Sequence, residues 1–226
     1  MANEKLSRTP TSTGNRKVFT YSVWVKQTVD GAAVLFGSGI DTQNQSNFQT
    51  NSLEKIFFNT ETSNVLDSSY QSNSRHRDYS SWAHMLLSVD TTKPFDDERI
   101  RIYKNGIIVP QTVSNYIASP IDFEHHINRT AYNHGIGGRT YTGGTASEGI
   151  YIFDAFFVDG QALTPDVFGF YKDGDGYVSA GSTQATDFRP GQWMPLSPSI
   201  IKKSIERRGG FGVNGFYLPM NDSSNP

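Results

Sequence analysis

Arg99-Ile100-Arg101-Ile102-Tyr103-Lys104-Asn105-Gly106-Ile107-Ile108-Val109 decides how this chain is read. Polar and apolar residues alternate strictly from 99 to 104, so an extended strand here has one apolar and one wet face. Asn105-Gly106 suits a two-residue turn with positive φ at both positions, and an apolar run then returns. The stretch predicts an antiparallel hairpin, and the acidic Asp96-Asp97-Glu98 before it predicts a turn.

The same pattern extends in both directions. Phe19-Thr20-Tyr21-Ser22-Val23-Trp24-Val25-Lys26 puts Phe19, Tyr21, Val23 and Val25 on one face of a strand. Ala33 to Gly39, Leu53 to Asn59, Trp82 to Asp90, Gly149 to Asp159 and Gly215 to Met220 read as further strands. The Ser/Asn-rich stretch from Thr60 to Tyr79 reads as a long excursion between strands. Short helices are expected after Thr164-Pro165 and Ser197-Pro198, where a cap residue precedes an N1 proline. The second ends in Arg207-Arg208 and Gly209-Gly210, favourable to the helix dipole and its stop. Many short strands, two short helices, no repeat and no linker predict one all-β, two-sheet antiparallel sandwich over residues 1–226.

Composition fits that class. The hydrophobic share is only 36%, but 15 Phe and 11 Tyr supply large burial per residue on pleated surfaces. A net charge of −2 argues against a general nucleic-acid binder. With no cysteine, disulfides and thiolate metal sites are excluded. No run approaches the length of a membrane span, and Met1 to Arg8 has no apolar signal core, so no membrane insertion and no signal-led secretion are expected.

Taken in order, several segments resemble the laminin-G-like branch of the concanavalin A-like lectin and glucanase sandwiches. They are Phe19–Lys26, Val34–Gly39, Trp82–Asp90, Ile102–Gly106, Gly135–Arg139 and Phe153–Thr164. Phe153 to Pro165, with the flanks Arg8–Lys17 and Asn214–Met220, is similar to a version in virion proteins of marine tailed phages. The resemblance implies a jelly-roll fold and a virion location. It implies a non-enzymatic structural role as a capsid decoration, head-fibre or tail-associated subunit. Its partners would be other virion proteins and itself as a homo-oligomer. A glycan-binding adhesin recognising host surface polysaccharide is the alternative. No cofactor is expected; the resemblance allows a structural calcium ion whose ligands the sequence does not locate.

Candidate chemistry is sparse. Glycan hydrolysis needs two carboxylates at fixed separation, and no E-x-D-x-E or E-x-D-x-x-E run exists. His125-His126 would point to opposite faces of a strand, which disfavours shared chelation. Asp173-Gly174-Asp175-Gly176 lacks the EF-hand pattern and explains itself as a turn. No G-x-S-x-G elbow occurs, and Gly135-Ile136-Gly137-Gly138-Arg139 lacks the features of a phosphate loop.

Arg75, His76, Arg77 and Tyr79, and likewise Arg139 and Tyr141, are candidate ligand- or partner-binding residues, with a solvated loop as the competing reading. The segment 187–212 departs from the family pattern. Pro190-Gly191 and Gly209-Gly210 would let it swing outward, so Trp193, Met194, Ile200, Ile201 and Ile205 are expected to form an assembly contact anchored by Trp193.

Overall fold

The computed structural model describes residues 5–29, 31–111, 116–144, 147, 149–173, 176–178 and 191–220, with the backbone alone for 173 and 176–178. Strands are numbered in chain order. The first sheet runs β1 (Leu6–Arg8), β10 (Asn133–Ile136), β3 (Ala33–Asp41), β4 (Asn44–Thr50), β5 (Lys55–Thr62) and β6 (Val65–Arg75). The second runs β15 (Phe216–Leu218), β11 (Ile150–Asp159), β2 (Val18–Gln27), β7 (Ala83–Asp90), β8 (Ile100–Lys104) and β9 (Ile107–Ile108). Neighbours in both sheets are antiparallel, and the sheets pack face to face as a jelly-roll sandwich. The predicted hairpin forms, with Tyr103 opposite Ile108 and positive φ at Asn105 and Gly106.

Alternation builds the core. Phe19, Tyr21, Val23 and Val25 of β2 meet Leu35, Phe36, Phe48, Ile56, Phe58 and Tyr70 from the opposite sheet. The rings of Tyr21 and Phe36 stack at 4.5 Å. Rings of this size bury enough apolar surface to offset a composition poor in aliphatics.

A third layer covers part of the second sheet's outer face. It comprises a small sheet of β13 (Gly176–Val178), β12 (Gly169–Asp173) and β14 (Gln192–Pro195), a 3-10 turn at Pro165–Val167, and helix α2 (Pro198–Arg207). Helix α1 (Asp96–Arg99) is a single turn at the expected acidic site. Among the described residues no helix is long and apolar enough to cross a membrane.

β11 serves both the core and this layer through a bulge at Asp154, which has φ of 48°. Ile150 and Ile152 precede it and Ala155 and Phe157 follow it, all four toward the sandwich core. The extra residue switches parity, so Phe156 and Val158 join the outer cluster with Leu86, Ile201 and Ile205.

Two expectations are corrected. The stretch from Thr60 to Tyr79 is not an excursion. It holds the end of β5, a tight turn at Ser63-Asn64 with positive φ at both residues, and all of β6. The sequence reading also passed over β4. Apart from Phe48 in β4 and Val65, Leu66 and Tyr70 in β6, both strands are polar on two faces, so apolar alternation had little to report. Among their inward side chains, Ser46 meets the Thr60 hydroxyl at 2.7 Å and Ser68 meets Ser119 at 2.6 Å.

The segment around 187–212 does not swing outward over its described part. Trp193 is 6% exposed and lies opposite Tyr171 in the small sheet. Ile201 and Ile205 are buried against Phe156 and Leu86, while Met194 is half-buried and Ile200 exposed. A short helix has little stability of its own, and its narrow apolar stripe is satisfied by the sandwich beneath it. Residues 187–190, including Pro190, lie outside the described residues, as do Gly174 and Asp175 of the predicted turn.

Candidate functional site

The candidate ligand residues fall in two places and are largely engaged within the chain. Glu54 has positive φ at the turn between β4 and β5, accepts from Arg77 and Tyr79, and forms an ion pair with Arg75. Arg77 Nε lies 2.8 Å from its carboxylate, the Tyr79 hydroxyl 3.0 Å and Arg75 3.6 Å. This holds the Glu54 carboxyl below its usual range, chiefly through the hydrogen bond from Arg77. His76 is buried, and desolvation lowers it to about 4.

Arg139 and Tyr141 sit elsewhere, on the outer face of the first sheet. Tyr141 is buried and its hydroxyl donates to Gln45, while Arg139 donates to Gln49 at 3.1 Å. The Tyr141 ring rests on Gly39, where an added Cβ would come within 2.6 Å of it. Gly39 therefore makes room for a loop laid across the sheet.

Trp193 is likewise enclosed. Added Cβ atoms at Gly106 and at Gly169 would each come within 2.5 Å of its ring. Its ring centre is 4.7 Å from Tyr171 and 5.9 Å from His84, stacked on the latter. The Tyr171 hydroxyl donates to the Asn105 carbonyl, so the decisive hairpin turn is also the seat of Trp193. His84 is buried against Ser22 at 2.9 Å, and burial lowers it to about 3. This Ser–His pair has no carboxylate on its second nitrogen and no solvent access, so it lacks the constellation of a nucleophile.

From Trp193 an aromatic row leads outward along the second sheet. His84 lies opposite Trp24, with ring centres 5.3 Å apart, and Trp24 lies opposite Phe153. Phe153 meets Trp82 edge-on at 6.1 Å, and Tyr151 follows two residues along β11, opposite Lys26. The row begins buried and ends in solvent. Trp24 is half-buried, whereas Phe153 is 39% exposed, Trp82 45% and Tyr151 58%. Among the described residues, the third layer covers the post-bulge half of this face and leaves the pre-bulge half open. Trp24, Phe153, Trp82 and Tyr151 together make an apolar patch of the kind that marks an interaction surface. The signal for them was parity. Trp24 falls on the off-core side of β2, and Tyr151 and Phe153 alternate against Ile150 and Ile152.

The flanking motifs converge on a residue the sequence reading also missed. Buried Asp159 accepts from the Asn15 amide at 2.7 Å, the Asn128 side chain at 3.0 Å and the Asn214 amide at 3.1 Å. Arg8 donates to the Asn214 carbonyl at 3.1 Å. Of the histidine pair, His125 meets the Thr60 hydroxyl at 2.7 Å and His126 meets Thr62 at 3.1 Å. Burial lowers them to about 3 and about 4. Among the described residues, no three His, Asp or Glu side chains are grouped to hold a metal ion.

No protein-family model matches the chain, and no curated protein matches its sequence. Several solved structures are similar in fold. A heptameric SAP-like pentraxin from Limulus polyphemus is 14% identical over 73% of this chain and 74% of its own, with a TM-score of 0.49. The CBM40 of the Ruminococcus gnavus IT-sialidase is 10% identical over 73% of this chain and 96% of its own, with a TM-score of 0.46. Tailspike protein 2 of an Escherichia coli O157:H7 bacteriophage is 12% identical over 68% of this chain and 21% of its own, with a TM-score of 0.44. The fold assignment rests on the sheet topology of the chain itself.

Proposed function

We propose that this chain is a non-enzymatic recognition module that stacks the rings of a neutral surface polysaccharide on the open aromatic strip of Trp24, Trp82, Tyr151 and Phe153. The carrying observation is that three of these four rings are exposed on one sheet face while the chain's other large aromatics in that region are enclosed. Sugar rings present apolar C–H faces, and aromatic faces meet them with little loss of conformational freedom. Lys26 lies opposite Tyr151 at the strip, and the chain has no E-x-D-x-E run of paired carboxylates, which suits binding a neutral chain without cleaving it. The test is an array of phage-host surface polysaccharides probed with wild type and with Tyr151→Ala. Saturable binding that Tyr151→Ala weakens about tenfold supports the reading. Binding indifferent to the substitution, or release of reducing ends, overturns it.

A second reading, a virion subunit held by protein contacts, is favoured by one feature. The flanks that carry the phage resemblance, Arg8–Lys17 and Asn214–Met220, meet at Asp159 as one bonded unit. Mass spectrometry of a purified particle tests it. Stoichiometric presence supports a virion role, and absence from particles removes it.

A further inference from the structure

A cavity of about 370 Å³ opens between the edge strands β1 and β15. Its walls follow from the register. Leu6 lies opposite Ile136 and Arg8 opposite His134, so directly facing residues of β1 and β10 share its lining. One end is apolar, with Leu6, Ile136 and Leu218. The other is polar, with Arg8, His134 and Asn128.

The polar end has chemistry to spare. Asn128 is fully buried, and its Nδ2 donates to Asn15 and Asp159, yet its Oδ1 has no partner. A buried acceptor without a donor is costly and calls for one. His134 does not supply it. Its Nδ1 lies 2.9 Å from the Tyr132 carbonyl, which fixes the proton there, and its Nε2 accepts the Asn128 amide at 2.8 Å. Arg8 is a cation that, among the described residues, donates to Asn214 and has no carboxylate within 4.0 Å. The cavity lining thus offers one acceptor and one donor together with an apolar trough of ligand size.

We propose that this cavity binds a small apolar molecule bearing a hydroxyl group, whose O–H donates to Asn128 Oδ1 and whose oxygen accepts from Arg8. A carboxylate satisfies only Arg8 and repels the Asn128 oxygen; a hydrocarbon satisfies neither. This site is separate from the glycan strip and does not depend on it.

The full chain, labelled at Leu and Ile methyls, is titrated with octan-1-ol and with octanoate at pH 7. The expected result is a saturable shift confined to the Leu6, Ile136 and Leu218 methyls, with octan-1-ol binding about tenfold more tightly than octanoate, one buried hydrogen bond being worth that factor. Leu6→Trp, at a site 49% exposed, fills the mouth and removes the shifts with the melting point unchanged. Should that variant fold poorly, Leu218→Phe serves in its place. Absent or dispersed shifts, octanoate binding as tightly as octan-1-ol, or undiminished binding by the filled variant would each overturn the proposal.

Discussion

At the residue scale, buried polar groups separate structural from surface roles. All five histidines are buried, and desolvation lowers each one: His84 and His125 to about 3, and His76, His126 and His134 to about 4. The unfolded chain binds those protons near pH 6.5, so it gains protons first as pH falls. Stability is therefore fully present above about pH 6.5 and is lost progressively toward about pH 3. At pH 5 the fully buried His84 and His125 each cost about 2 kcal/mol. Thermal melts at pH 7 and pH 5 should show a marked drop that His84→Gln or His125→Gln partly relieves; a flat profile would refute the assignment. Asp159→Ala removes the acceptor of three hydrogen bonds and should destabilise by about 3 kcal/mol in denaturant melts. Trp193→Ala should cost about 3–5 kcal/mol, because it empties a site walled by Gly106, Gly169 and Tyr171. Trp82→Ala, on an exposed ring, should change stability by less than about 1 kcal/mol.

At the element scale, the bulge at Asp154 decides which face carries function. Deleting Asp154 would remove the extra residue and leave a regular alternation, with Ile150, Ile152, Ala155 and Phe157 still inward and Tyr151, Phe153, Phe156 and Val158 still outward. The expected outcome is a cooperative melt that keeps the near-ultraviolet aromatic signal; a poorly cooperative melt would show that the bulge itself is required. Strands with one apolar face were legible in the sequence: β2, β7, β8 and β11 fall where alternation placed them. β4 and β6 were not. Of β4 only Phe48 enters the apolar core, while Gln45, Asn47 and Gln49 line the outer face, a pattern alternation reads as loop. Helix α2 was legible from its proline start and glycine stop, but not its docking, since a stripe of three isoleucines does not say what covers it. The candidate site was legible only in part. Arg75, Arg77 and Tyr79 were singled out by side-chain type, and the turn that brings Glu54 to them depends on the unread end of β6. The aromatic strip was visible as the off-core parity of two recognised strands, a signal passed over when the Phe and Tyr content was read as core burial.

At the scale of the whole molecule, two sheets and a partial third layer leave one aromatic face open, and the account rests on that face being a recognition surface. The third layer encloses Trp193 and stops short of Trp82, Phe153 and Tyr151, so the same row supplies packing at one end and contact at the other. Loss of one stacked ring should remove about 1–2 kcal/mol of binding without loss of fold. The most direct measurement is affinity electrophoresis of the folded protein through gels carrying host surface polysaccharide, comparing wild type, Trp82→Ala and Arg77→Ala. The account predicts retardation of wild type and of Arg77→Ala, whose side chain is engaged by Glu54, with about tenfold weaker retardation of Trp82→Ala at an unchanged melting point. Equal retardation of all three proteins, or loss confined to Arg77→Ala, would contradict it.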